Sequence, residues 1–328
     1  MQNRIKIGVA GGAGYTAGEL LRILVNHPLA EIEFVYSTSN PGLPVTSIHT
    51  DLFGETDLCF TDQIKPVDVL FLCLGHGISR EFLLKNDFSE KTKIIDLGND
   101  FRTEPEFDRY GKIRKFVYGL PEINKSQIAV ADSVANPGCF ATAIQLALLP
   151  LASVNLLKNE VHINAVTGST GAGRSLSETT HFSYRENNVS VYKVFTHQHL
   201  KEIIKTLTAV QNSVPELNFI PVRGNYTRGI FASLYTVCEL DENEAISLYK
   251  NFYTDAVFTH IADKSPSLKD AVNTNKCILH VSKHGNKLLI VSVIDNLIKG
   301  ASGQAVQNMN LMFGLSEKCG LKLKPSGF

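Results

Sequence analysis

Lys6-Ile7-Gly8-Val9-Ala10-Gly11-Gly12-Ala13-Gly14-Tyr15-Thr16-Ala17-Gly18 is the stretch that decides the fold. Residues 6–10 read as a short apolar strand, 17–27 as a helix, and the glycines between them as a tight turn. Gly12, Gly14 and Ala17 fit the spacing of a dinucleotide-binding turn, with alanine in the third place. Glycines let the backbone turn sharply and come close to a pyrophosphate. The helix start then offers unpaired N–H groups and a positive dipole end. A plain turn between strand and helix would use the same residue types. The strand immediately before and the helix immediately after favour the cofactor site, so Gly11, Gly12, Ala13, Gly14, Tyr15 and Thr16 are expected along a dinucleotide.

Outward from that turn, the first 135 or so residues alternate between apolar runs and helical patterns. Strands are expected at 31–37, 67–73, 93–97 and 128–131. Several are apolar throughout, which suits a parallel sheet covered on both faces. After Cys139 the pattern changes to long alternating strands at 160–167, 229–240, 276–282 and 287–295, with helical patterns at 200–210, 242–253 and 304–313. Residues 283–286 read as a hairpin turn between the last two strands. The expected fold class is α/β: an N-terminal Rossmann dinucleotide-binding domain followed by an α+β catalytic domain with a mixed sheet.

The end of the second strand bears on the cofactor. A site for NAD commonly places Asp or Glu there, to bind the ribose 2′-hydroxyl. This chain has Tyr36-Ser37-Thr38-Ser39-Asn40 and no carboxylate. Ser37 and Ser39 suit a 2′-phosphate, so NADP is the expected cofactor.

Asn136-Pro137-Gly138 is a turn, and an apolar helix follows from Phe140. Cys139 therefore stands at a helix N-terminus, where the dipole favours a thiolate. A lone cysteine is more often a small core residue; a base nearby would tip the reading toward a nucleophile. His197-Gln198-His199 supplies one, with Glu202 three residues on to orient an imidazole. Two histidines are too few to hold zinc and no further ligand cluster is evident, so no metal is expected. Surface histidines are the other reading. Spacing does not divide acid/base work from binding between His197 and His199. For an anionic substrate, Arg102 and the loop 168–175 stand out. That loop supplies Ser169, Arg174 and a run of backbone amides, chemistry suited to phosphate or carboxylate.

Composition bounds the rest. A chain of 328 residues points to two domains. Lys+Arg and Asp+Glu both number 32, with no basic tract, so no nucleic-acid partner is expected. No apolar run reaches the roughly 20 residues that span a bilayer, so no membrane partner is expected. The first strand begins close to the N-terminus, which leads us to expect no export signal and a cytoplasmic protein whose six scattered cysteines stay reduced.

These motifs together resemble the N-acetyl-gamma-glutamyl-phosphate reductases of arginine biosynthesis, nearly end to end. The likeness runs through GGAGYTAGELLRIL (11–24), Gly75-His76-Gly77, DLGNDFR (96–102), VYGLPE (117–122), ANPGCFATA (135–143), GSTGAGRS (168–175), HQHLKEI (197–203) and DNLIKGASGQAVQNMNLMFG (295–314). Aspartate-semialdehyde dehydrogenases share the architecture with a different cysteine neighbourhood. The resemblance implies that Cys139 is the nucleophile, that His197 and His199 divide acid/base and binding roles, and that Glu202 and Arg102 contact substrate. It implies that Gly75, His76, Gly77, Gly173 and Asn296 lie along NADP. The last helix, from Gly303, would return to the N-terminal domain. The division becomes 1–138 with 303–328 for cofactor, and 139–302 for catalysis and oligomerisation. It further implies a small acyl-phosphate substrate and a homo-oligomer, dimer or tetramer. The family often carries Arg near Ser39 and Tyr at Phe140; this chain has neither.

Overall fold

A computed structural model describes residues 4–75 and 77–327; the expected cofactor residue His76 lies outside the described residues. The chain forms two compact units, one of residues 4–137 with 301–322 and one of 138–300 with 323–327.

The first unit is built on β1 (Ile5–Ala10), β2 (Ala30–Tyr36), β3 (Phe60–Thr61), β4 (Val69–Leu72), β5 (Lys93–Asp96), β8 (Val117–Tyr118) and β9 (Ser133–Ala135), with β6 (Glu106–Arg109) and β7 (Lys112–Lys115) as a separate hairpin. Its sheet runs in the order β3-β2-β1-β4-β5-β9-β8, and every pairing is parallel. The all-buried pattern of β4 follows from that arrangement, because both faces of a parallel sheet are covered. Helices α1 (Tyr15–Leu24), α2 (Ser79–Lys85) and α3 (Pro121–Ala129) connect the strands, and a late helix, Gly303–Met312, belongs to the same unit. Strand order reverses between β1 and β4, which opens a crevice at their carboxyl ends.

One expected strand is corrected. Residues 128–131 complete α3 and its exit, and the strand that pairs with β5 is Ser133–Ala135. A short apolar run does not distinguish a buried strand from a helix end; Pro121 at the start of α3 sets the helix here.

The second unit carries a mixed sheet of β10 (Val161–Thr167), β11 (Ser190–Val191), β12 (Leu217–Arg223), β13 (Ile230–Val237), β14 (Thr259–Ile261), β15 (Cys277–His284) and β16 (Lys287–Ile294), in the order β11-β12-β10-β13-β16-β15-β14. The hairpin expected at 283–286 joins β15 and β16. Against this sheet lies α4 (Cys139–Ser153), whose residues from Phe140 to Ala152 are all buried. A helix apolar all round must sit inside a core. Its neighbours are α6 (His199–Gln211) and α7 (Glu242–Phe252), while the short α5 (Phe182–Arg185) sits in the loop before β11. Gln145 of α4 donates to Glu202 O (3.2 Å) and Thr206 Oγ1 (3.0 Å) of α6. On the other side, Tyr249 and Tyr253 donate their hydroxyls to Ala147 O and Leu146 O, each at 2.6 Å. These ties leave α4 little freedom, so its first residue is held firmly in place.

Candidate functional site

The turn after β1 has the form its sequence predicts. Gly11 has φ +82°, and a Cβ there would lie 2.5 Å from Cys73 O; one at Gly12 would lie 2.4 Å from Val35 Cγ1. Both backbones press against neighbouring strands, and both amides donate to Tyr36 O, at 3.1 and 2.9 Å. Gly14 differs: a Cβ there would meet nothing nearer than Gly11 O at 3.9 Å. The first helical bond of α1 runs from Gly18 N to Gly14 O at 3.0 Å. Helix geometry therefore leaves the amides of Tyr15, Thr16 and Ala17 outside the ladder. An open glycine before such a helix start is a cradle that fits a pyrophosphate, so the residues present fit a dinucleotide.

At the end of β2, Asn40 Nδ2 donates to Ser37 Oγ (3.1 Å) and Ser39 Oγ (2.8 Å). Both hydroxyls thus accept from the amide, and they lie 3.4 Å from each other, so one of the pair donates to the other and the remaining proton is left for donation outward. Gly77, in the turn after β4, has φ +82° and donates its N–H to Asp100 Oδ2 at 2.9 Å. Gly75 accepts from Ile78 N at 3.2 Å. This turn and the turn after β1 flank the crevice at the β1–β4 reversal.

Arg102 is buried, with Nε on Asn136 O (2.9 Å) and Nη2 on Leu97 O (3.0 Å). It braces the turn around Asn136. Asn136 Nδ2 donates to Ala301 O at 3.0 Å, and its Oδ1 accepts from Asn308 Nδ2 at 3.0 Å. Asn308 Nδ2 also reaches Gly119 O at 2.9 Å. The sequence blocks 96–102, 117–122, 135–143 and 295–314 thus meet partly in one buried amide network within the first unit.

In the second unit Cys139 is the first residue of α4, with Gly138 as N-cap in extended geometry. Gly138 N donates to Glu202 Oε2 at 3.2 Å, and Thr142 N to Gly138 O at 2.8 Å. The amides of Cys139, Phe140 and Ala141 therefore lie before the first helical bond. A Cβ at Gly300 would sit 2.7 Å from Cys139 Cβ, so only glycine allows this approach.

His197 and His199 share one cluster. Their ring centroids lie 4.7 Å apart, and Phe140 sits edge-on to both, at 5.3 and 6.2 Å. His199 N donates to His197 Nδ1 at 3.3 Å, which puts the proton of a neutral His197 ring on Nε2. Burial foremost, then the charges of Lys193 and Arg223, lower the His197 pKa to about 4. His199 Nε2 faces Glu202 Oε1 at 3.9 Å, both side chains buried.

The loop 168–175 corrects an expectation. The sequence points to amides that face an anion. Instead Gly168 N donates to Gly229 O (3.0 Å), Ser169 N to Tyr226 O (2.9 Å) and Thr170 N to Thr227 O (3.0 Å). Gly171 and Gly173 donate back into the loop, to Gly168 O and Thr170 O. Asn296 serves the same internal purpose: its Oδ1 accepts from Gly229 N at 2.6 Å and its Nδ2 donates to Thr170 Oγ1 at 3.1 Å. Gly173 has φ +81° with open space beside it, and the Arg174 side chain is exposed.

Residues 6–131 match the family described as "Semialdehyde dehydrogenase, NAD binding domain", and residues 139–296 match "Semialdehyde dehydrogenase, dimerisation domain". A Flavobacterium johnsoniae protein named N-acetyl-gamma-glutamyl-phosphate reductase is 58% identical over 326 residues, covering 99% of this chain and 100% of its own. The chain belongs to the N-acetyl-gamma-glutamyl-phosphate reductase family. A Bacteroides fragilis reductase of the same name is 53% identical over 328 residues, with 99% of this chain and all of that one covered. Among solved structures, aspartate semialdehyde dehydrogenase II from Vibrio cholerae covers 95% of this chain and 99% of its own, with a TM-score of 0.73 and 17% identity, a likeness of fold. The reductase family is one of oxidoreductases that use a nicotinamide dinucleotide.

Two residues that the sequence reading missed stand in the reductase's cysteine cluster. The Arg223 guanidinium lies 4.7 Å from the Tyr192 ring centroid, and that ring lies 5.8 Å from His197. The Tyr192 hydroxyl is pushed up to about 12, by burial first and then by the charge of Cys139, with Arg223 opposing. Neither residue belongs to a motif. Tyr192 follows the edge strand β11, Arg223 closes β12, and strand pairing of Ser190 with Arg223 brings them together.

Among the described residues no helix is long and apolar enough to cross a membrane, and no three His, Cys, Asp or Glu side chains group as metal ligands.

Proposed function

We propose that the chain reduces N-acetyl-glutamyl 5-phosphate to N-acetyl-glutamate 5-semialdehyde at the expense of NADPH, releasing phosphate, through a thioester on Cys139. The observation that carries the proposal is the placement of Cys139. It opens a rigid helix, with Gly300 pressed against its Cβ and Glu202 fixing the amide before it.

The Cys139 thiolate adds to the acyl carbonyl, and the C–O bond to phosphate breaks as the carbonyl re-forms. A thiolate suits both this step and its own later departure. The amides at the start of α4 stabilise the oxygen that carries negative charge. Residues 11–16 would hold the cofactor, which would supply the hydride needed to bring the thioester to the aldehyde level. His199, whose Nε2 faces the Glu202 carboxyl at 3.9 Å, exchanges the proton on the reacting oxygen. His197, kept neutral, offers Nε2–H to the substrate. Release of the thiolate then frees the aldehyde. The substrate's anionic groups fall to Arg174, Arg223 and Tyr192. Ser169 is placed along the same substrate.

NADP is favoured over NAD by the uncharged hydroxyl cluster of Ser37 and Ser39, which can donate outward to a 2′-phosphate and places no carboxylate against it. Gly75 and Gly77 complete the proposed cofactor contacts. The first unit is assigned to the cofactor and the second to catalysis and self-association, as a homo-oligomer working in the cytoplasm.

Run in reverse, the protein should reduce NADP when given N-acetyl-glutamate semialdehyde and phosphate, with little response to aspartate semialdehyde. Mass spectrometry after denaturation should find the acyl group on the peptide that contains Cys139. Turnover without any acyl adduct would overturn the covalent route. Preference for the N-succinyl compound would move the substrate assignment.

A further inference from the structure

His49 belongs to none of the motifs, yet its ring is hydrogen-bonded to the glycine turn. It is buried, and its Nε2 lies 2.7 Å from Gly12 O. A carbonyl only accepts, so Nε2 carries the proton and His49 donates. The opposite edge of the ring rests on α1: a Cβ at Gly18 would lie 2.6 Å from Nδ1 and 2.8 Å from Cε1. Gly18 is thus the glycine that admits His49. Phe60 closes the remaining side, with ring centroids 6.3 Å apart.

We propose that His49 is a positioning residue for the dinucleotide: it fixes the Gly12 carbonyl and thereby holds the turn in the shape that receives a pyrophosphate. The inference rests on the assignment of residues 11–16 to the cofactor. The N–H and C=O of a trans peptide point to opposite sides, so fixing Gly12 O fixes the plane of the Gly12–Ala13 peptide. A turn held before the ligand arrives has less freedom to lose on binding. His49 also ties two parts of the cofactor site. It stands in the excursion that leaves β2 at the Ser37–Asn40 hydroxyl cluster, and that excursion is pinned by Val45 N to Leu58 O at 2.8 Å and Gly42 N to Phe60 O at 2.8 Å. Anchored at one end to the 2′-side and at the middle to the turn, it makes the two depend on each other.

Calorimetric titration of the full-length protein with NADPH tests this. His49→Leu, which fills the space without a donor, should raise Kd about tenfold, the scale of one buried hydrogen bond. His49→Gln retains a donor at a similar reach and should stay within about threefold of the unaltered protein. Gly18→Ala, which pushes the ring away, should weaken binding as His49→Leu does. Combined with His49→Leu it should add little, because both act through one contact. The alkylation rate of Cys139 should be unchanged in all three. A Kd for His49→Leu within twofold of normal overturns the inference, as does a Gln variant as weak as the Leu one. If the Leu variant does not fold, the Gln and Gly18→Ala variants decide on the same criteria. Failure of the unaltered protein to bind NADPH would instead overturn the cofactor assignment, and with it this inference.

Discussion

Two glycine-rich turns follow a first strand of each unit, and they serve opposite purposes. The turn at 11–14 commits the amides of Gly11 and Gly12 to one carbonyl, Tyr36 O, and leaves Gly14 open before a ten-residue helix. The turn at 168–173 commits its amides to Gly229, Tyr226 and Thr227 and to its own carbonyls, and Asn296 clamps it from behind. Both sequences read as anion loops. Glycine content alone does not make an anion site; what matters is which N–H groups the fold leaves without a carbonyl. The first turn keeps open space before a helix start, and the second ties the end of β10 to the segment that leads into β13.

The most severe way to separate the two regions is at Cys139. Cys139→Ser should lower turnover by a factor of about 10³ or more, because the alkoxide is a poor leaving group at neutral pH. NADPH titration should still give a normal Kd, since the first turn is untouched. Substantial turnover by the Ser variant would remove the chemistry from α4.

Next in size is an exchange of alanines. A Cβ at Gly168 would lie 2.5 Å from the backbone of Thr227 and Arg228. Gly168→Ala should therefore cost about 3 kcal/mol of stability in chemical denaturation, in the range of overpacked backbone sites. Gly14→Ala meets nothing nearer than Gly11 O at 3.9 Å and should leave stability within about 1 kcal/mol, while weakening NADPH about tenfold by entering the ligand's space. The reverse outcome, a fragile Gly14 variant and a harmless Gly168 variant, would invert the comparison.

The pH dependence of stability probes the histidine cluster. The His197 pKa falls from 6.5 to about 4 on folding, mainly through burial. Between those values the unfolded chain binds more protons than the folded one, so stability rises with pH. The contribution is complete above pH 6.5 and is lost as pH falls toward 4, up to about 3 kcal/mol. His197→Asn should flatten that slope in urea titrations at stepped pH. An unchanged slope would mean that the ring is solvated.

The smallest effect belongs to the 2′-side. Ser39→Asp should weaken NADP by a few-fold to about tenfold through repulsion of its phosphate, and spare NAD. Equal Kd values for NADP and NAD in the unaltered protein would refute the preference.

Much of this was open to a reader of the sequence. The βαβ alternation, the mixed second sheet, the helix start at Cys139 and the pairing of His197 with His199 all rest on local signals: period, turn residues and capping positions. The end of α3 was misread because an apolar run of four residues carries no periodicity. The sequence of the loop 168–175 does not show its true role because the carbonyls that take its first three amides lie 57 to 61 residues further along the chain, and Asn296 lies 126 residues beyond Thr170.

What the sequence determined by itself is therefore whatever depends on neighbours along the chain: which segments fold as strands or helices, where glycine is required, and which residue begins the cysteine helix. The tertiary structure alone decided who meets whom. It set His49 on the Gly12 carbonyl, Arg223 over Tyr192, and Gly300 against Cys139. It also decided which glycine turn kept room for a ligand. The reason is physical: a donor's availability depends on every acceptor the fold brings within about 3 Å, and those acceptors come from distant segments that no local pattern names.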